Sequence, residues 1–230
     1  MSQGPSPTDA APVARVVGLA GSLRASSSTR SAVRCALSGA EADGAQVQLL
    51  ELAAYELPFL GREQEATGRA AVEHFLGDLR VADGIILGSP ELHGSMSGVL
   101  KNALDLTDRE LFEGKMLGLI GVAGGRMGAN ETLSHLRTVA RSLHAWVVPT
   151  QVSVADADRA FDPRGVPIDP ELRQRLEAIG RQVAHFARLH KCGEHMRFMK
   201  EWEGAGARAV EAQPVPGGHE RQDDPARRSK

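Results

Sequence analysis

Aromatic side chains are scarce in this chain, with one Tyr, two Trp and six Phe among 230 residues. A core built on stacked rings is excluded, and Leu, Val, Ile and Ala must do the packing. Cysteine is scarcer still, at Cys35 and Cys192 only. Two cysteines so far apart, outside any C-x-x-C or zinc-like spacing, support neither a disulfide framework nor a structural metal site, and they suit a reducing, cytoplasmic setting. No apolar run is long enough to span a bilayer. The opening MSQGPSPTDAAPVA lacks the basic start and apolar stretch of a secretory signal. Neither sign of charge dominates, since 27 basic and 29 acidic residues leave a net charge of -2. Without a basic field or an acidic block, nucleic acid, anionic membrane and cationic protein are not expected partners, and small molecules are.

What the sequence does have is alternation. The apolar runs ARVVGLA, VQLLEL, GIILGS, KMLGLIGVA and AWVVPTQVSV are separated by helical patterns. These patterns begin near Thr29, cover about 70–81, begin near Gly98 and Asn130, and cover about 170–190. Continuous β-branched and aliphatic runs are what strands covered on both faces look like, and helical crossovers of this length join parallel strands. The pattern predicts an α/β protein: a doubly wound, five-stranded parallel sheet with helices on both faces. Ligands of such sheets lie beyond the carboxyl ends of the strands, where strand order reverses. That directs attention to the loops after strands one, three and four.

Residues 1–13, rich in Ser, Pro and Ala, read as a flexible arm, 14–191 as the domain, and 192–230 as a largely disordered extension of Gly, Ala, Pro and mixed charge. Met196, Phe198, Met199 and Trp202 interrupt that extension. They form either a cluster for a neighbouring subunit or the domain edge, or a frayed helical continuation.

The loop after strand one, GSLRASSSTR, gathers Ser22, Arg24, Ser27, Ser28 and Thr29 ahead of a helix. Free N–H groups, hydroxyls and a guanidinium at a helix start suit a terminal phosphate, while the same residues also serve as plain helix caps. After strand three, Pro90, Gly94 and Gly98 mark an irregular loop that leads to Lys101, Asn102 and Asp105. After strand four, Gly124, Gly125 and Gly128 allow main chain to approach a ligand closely.

Other phosphate and catalytic motifs are missing. The first loop has neither the second Gly nor the Lys of G-x-x-x-x-G-K-[ST], and AGGRMG has Ala123 where a dinucleotide fingerprint needs its first Gly. GSMSG carries Met96 at the place of a nucleophilic Ser, and no H-E-x-x-H occurs among the eight His.

These loops resemble those of the NADPH-dependent FMN reductase family. G-S-L-R-x-x-S-x-T at 21–29 is similar to its phosphate loop, with Thr29 where the family usually has Asn. S-P-E-L-H-G-S-M-S-G-V-L-K-N-A-L-D at 89–105 and A-G-G-R-M-G at 123–128 resemble its second and third segments. The resemblance covers about 15–190 and implies a flavodoxin-like fold. It implies FMN with its phosphate on Ser22, Arg24, Ser27, Ser28 and Thr29, and its ring edge along Pro90, Glu91, Leu92, His93 and Gly94. Ala123, Gly124, Gly125 and Arg126 would close the other side. It further implies hydride uptake from NADPH or NADH, reduction of a free flavin, quinone, azo compound or metal oxyanion, and assembly as a homodimer or homotetramer. The chain departs from the family at Leu92, where the family has Tyr, which reduces ring contact beside the flavin.

In this chemistry no catalytic side chain is required, because the cofactor carries the hydride. His93 is placed to donate to an acceptor or to bond backbone, and Arg126 to meet a 2′-phosphate or simply solvent. Glu91 points either toward the flavin or to a structural partner. Two alternatives belong to other classes: a non-enzymatic FMN electron carrier or redox-sensing module, and a phosphosugar or nucleotide binder without redox activity.

Overall fold

The five apolar runs become β1 (Arg15–Ala20), β2 (Gln46–Glu51), β3 (Gly84–Pro90), β4 (Met116–Val122) and β5 (Trp146–Val154). The structure is a computed structural model that describes residues 12–62 and 66–191. The expected arm therefore lies outside the described residues up to residue 11, and the expected extension from 192 onward, with its Met, Phe and Trp cluster, lies wholly outside them. The described residues belong to one compact unit within Met1–Gly193.

All strands pair in parallel in the order β2-β1-β3-β4-β5. This is the doubly wound, flavodoxin-like order expected. Interior β4 is buried throughout, whereas edge strand β2 buries only Leu50 fully. Continuous hydrophobicity in the centre and partial exposure at the edge follow from helices covering both faces. Strand β5, the other edge, slips register against β4: Val147 pairs with Leu117, but Gln151 pairs with Leu119. Pro149 falls inside the slip, where a residue without an N–H interrupts the ladder at least cost.

Alternate strand residues feed two cores. Val16, Ile86 and Ile120 pack with α1 (Ser28–Ala42) and α7 (Pro170–His190) on one face. On the other face Val17, Ile85 and Leu119 pack with α2 (Ala66–Arg80), α3 (Gly98–Asp105), the short α4 (Arg109–Phe112) and α5 (Asn130–Ser142). Among the described residues, Phe75 and Phe112 are the only rings in the largest fully buried side chains of the two cores, the rest being Leu and Ile. Helices α1 and α7 touch backbone to backbone. A Cβ on Gly180 would overlap the Ala36 carbonyl, and one on Gly39 would overlap the Glu177 carbonyl.

Three departures from the expected elements stand out, the short α4 being one. Helix α2 starts at Ala66, four residues ahead of the apolar periodicity, and a single turn, α6 (Ala157–Ala160), follows β5. Among the described residues no helix is long and apolar enough to cross a membrane. Because β1 feeds β2 on one side while β3 lies on its other side, the chain leaves β1 and β3 in opposite directions and a crevice opens between their loops.

Candidate active site

The crevice begins with how the first loop is tied down. Gly21 N–H donates to the Gly88 carbonyl at 2.8 Å, and the Ser97 hydroxyl donates to the Gly21 carbonyl at 2.7 Å. Ser97 also caps α3 by accepting from Leu100 N–H at 3.1 Å, and its own N–H donates to Ser89 Oγ at 3.0 Å. One buried serine thus joins the loops after β1 and β3. A Cβ on Gly21 would lie 2.7 Å from Leu100 Cβ, so only glycine fits this junction.

Ser27 is the N-cap of α1, its hydroxyl accepting from Arg30 N–H at 3.2 Å. The two preceding helical N–H groups, on Ser28 and Thr29, meet no acceptor from the described residues. They are the orphan donors every helix start presents. The Ser28 hydroxyl donates to the Ala157 carbonyl at 3.1 Å, and Thr29 is buried beneath the loop. Ser22 Oγ accepts from Arg24 N–H at 3.4 Å, while the Arg24 side chain is exposed. Arg30 holds the loop's shape: it pairs with Glu51 at 2.7 Å and also donates to the Ala25 carbonyl.

After β3 the chain makes a two-residue hairpin. Leu92 and Ser95 exchange backbone bonds of 2.9 and 3.1 Å, with His93 and Gly94 at φ 54° and 76°. Positive φ at both central residues is the type I′ pattern, which glycine takes freely and histidine tolerates. The hairpin is clamped to α5 twice, by Ser95 Oγ at 2.9 Å from His135 Nδ1 and by Glu91. The Glu91 carboxylate accepts from Thr132 N–H at 3.1 Å, where an anion complements the helix start. Of the two roles open to Glu91, the structural one is what the geometry shows.

After β4, Ala123 is buried and bonded to the Val154 carbonyl, and Gly124 to Met127 are exposed. A Cβ on Gly124 or Gly125 would meet nothing within 4 Å. The fourth wall comes from the β5–α7 connection, which the reading of loops one, three and four missed. There α6 and the 161–165 turn face the start of α1. The string DPRG, an Asp-Pro step followed by Gly just past strand five, was the available turn signal.

Together these walls enclose a cleft of about 1080 Å³. Of the expected residues, Ser22, Arg24, Ser27, Ser28 and Thr29 line it, as do Pro90, Glu91, Leu92 and Gly124. His93, Gly94, Ala123, Gly125 and Arg126 stand beside it without lining it. Arg34 and Arg164 line it and were not singled out, because nothing in their immediate sequence distinguishes them from solvated arginines. Strongly shifted titratable groups lie elsewhere. Burial pushes the Cys35 thiol up to about 11, and burial lowers the Lys115 ammonium to about 8 where it bonds the Leu79 and Arg80 carbonyls ending α2.

The family model for NADPH-dependent FMN reductase matches residues 14–159, well over half of the chain. The chain belongs to the NADPH-dependent FMN reductase family. Members recorded under the name FMN-dependent NADPH-azoreductase, from Staphylococcus aureus, are 44% identical over 107 residues, which are 46% of this chain and 56% of theirs. The chain thus spans about half the length of the curated relatives it matches. Among solved structures, the flavoenzyme NAD(P)H:(acceptor) oxidoreductase FerB from Paracoccus denitrificans superposes with a TM-score of 0.64 at 20% identity, covering 77% of this chain and 99% of FerB. An oxidoreductase from Corynebacterium diphtheriae superposes with a TM-score of 0.60 at 23% identity, covering 76% and 97%. At these identities the structural likeness establishes the flavodoxin-like fold of this FMN reductase family member. The family match falls on the segment that builds the first three walls and α6 as far as Arg159; the 161–165 turn lies just beyond it.

Proposed function

We propose that the chain binds FMN in this cleft and catalyses electron transfer from NADPH or NADH to a small acceptor. One observation carries the reading: a helix start rich in anion donors and an apolar, glycine-opened wall converge in one cleft at the switch point of the sheet. The donor set fits the group. Two orphan N–H groups, the Ser22 and Ser27 hydroxyls and the Arg24 guanidinium suit a phosphate monoester. Gly124 leaves open, on the cleft wall, the space a side chain would fill, as the edge of a flat heterocycle requires.

FMN, when bound, supplies the hydride chemistry. The chain's residues position and shelter it. Arg30 and Ser97 hold the phosphate loop in shape before any ligand arrives, and Pro90 and Leu92 present an apolar flank. Leu92 leaves that flank aliphatic where the family has Tyr. His93 and Gly94 form the exposed hairpin tip, and Ala123, Gly125 and Arg126 follow the wall that Gly124 provides. The acceptor class includes azo compounds, quinones, free flavins and metal oxyanions, and the name of the Staphylococcus aureus relatives supports the first. A homodimer or homotetramer fits the exposed apolar side chains on loops at the carboxyl ends of the strands: Leu23, Phe59, Leu92 and Met127. A reducing, cytoplasmic setting is consistent with Cys35 as a free thiol.

The test is a visible spectrum of the purified protein with FMN, followed by anaerobic addition of NADPH or NADH in separate cuvettes. Bleaching of the bound flavin at catalytic speed is expected, and Gly124→Leu is expected to lose the flavin while remaining folded. A flavin that binds but is reduced by neither nucleotide would make the protein a carrier or sensor instead.

A further inference from the structure

The cleft continues past the start of α1, between the outer side of that helix and the 161–165 turn. The turn is braced. The Asp162 carboxylate accepts from the N–H groups of Arg164 and Val166 at 2.8 Å each, and Gly165 N–H donates to the Asp162 carbonyl at 2.9 Å. Gly165 has φ 81°, and a Cβ on it would lie 2.7 Å from Ser31 Oγ, so the turn rests on α1 beside Ser31. At 1.5 Å per residue, Ser31 lies roughly 5 Å and Arg34 roughly 9 Å along the axis from Ser28. This part of the cleft is therefore set off from the orphan N–H groups at the helix start.

Charge in the cleft is unevenly paired. Arg30 is satisfied by Glu51 and the Ala25 carbonyl. Arg24, Arg34 and Arg164 line the cleft, and among the described residues none has a carboxylate within 4.0 Å. Of the lining acids, Glu91 bonds the α5 backbone and Asp162 bonds its own turn, leaving Asp158 against three guanidiniums. One monophosphate at the helix start uses Arg24 with the free N–H groups. Arg34 and Arg164 remain in surplus, on α1 and on the hydrogen-bonded 161–165 turn that line the same cleft, and guanidiniums are the side chains best suited to a second phosphate. The cleft volume of about 1080 Å³ stands at the top of the usual range for small-molecule sites, roughly 300–1,000 Å³, so a second ligand has room.

Resting on the FMN reading above, we infer that Arg34 and Arg164 form a second phosphate site that takes the 2′-phosphate of NADPH and selects it over NADH. Arg126, the arginine that the sequence placed nearest such a role, does not line the cleft.

The test uses flavin-loaded protein and calorimetric titration with NADP+ and with NAD+, on wild type, Arg164→Ala and Arg34→Ala. The turn is held through the Arg164 backbone, and both side chains are exposed, so the variants should fold. Each is expected to weaken NADP+ about tenfold, the loss of one charge-assisted bond, and to change NAD+ less than twofold. Flavin content, read from the visible spectrum of the same samples, should not change. Unchanged NADP+ affinity in both variants, or equal weakening of both dinucleotides, overturns the assignment. Loss of flavin in the variants also overturns it, by moving these arginines to the FMN phosphate. If wild type itself retains no flavin, the reading beneath the inference fails first, and the two failures are told apart by that spectrum alone.

Discussion

Ser97 shows how much of the site rests on one buried hydroxyl. Its hydroxyl caps α3 and donates to the Gly21 carbonyl, so Ser97→Ala removes a cap and leaves a buried carbonyl short of a donor. The expected cost is about 2 kcal/mol in urea unfolding, together with weaker FMN binding because the phosphate loop loses its anchor. Unchanged stability would mean that the loops after β1 and β3 are not coupled through this bond. In the sequence Ser97 was one small residue in a matched motif, and nothing local announced a partner 76 positions away. Ser22, Ser27, Thr29 and Arg24 were legible because helix-start chemistry is a short-range matter. The role of Glu91 was not, since the α5 N–H it bonds lies 41 residues further on.

At the level of elements, the five strands and the cores on both faces could be read from aliphatic runs, which a parallel sheet buried on two sides requires. The start of α2 and the turns α4 and α6 could not, because short helices have too few residues for a period to emerge. The close contact of α1 with α7 was equally hidden, for Gly39 and Gly180 lie 141 positions apart and look like ordinary helix-weakening glycines. Their role is steric. Gly180→Ala forces a methyl group into the Ala36 carbonyl, and the expected loss is about 1–3 kcal/mol, a fall in Tm of roughly 2–12 °C by calorimetry. A rise in Tm, as helix propensity alone would give, would show that the helices can separate without cost. The fourth wall was missed for a related reason: attention to the switch point favoured loops one, three and four, while the 161–165 turn reaches back over α1 from the far edge strand.

For the whole molecule, strand order decides where function lies. The order β2-β1-β3-β4-β5 parts the loops after β1 and β3, and the run of serines from Ser26 to Ser28 lines the cleft between them. With near-balanced net charge, the surplus of unpaired guanidiniums in the cleft is a local field rather than a general one. The aromatic poverty seen at the outset has its counterpart in the cleft, where Leu92 would give the proposed FMN an aliphatic flank. Affinity must then rest on the phosphate end more than on stacking. The most direct test is a titration of the flavin-free protein with FMN and, separately, with riboflavin, which has the same ring and no phosphate. FMN should bind at least about 100-fold more tightly, the worth of one or two charge-assisted hydrogen bonds; equal affinities would contradict a phosphate seated at the start of α1.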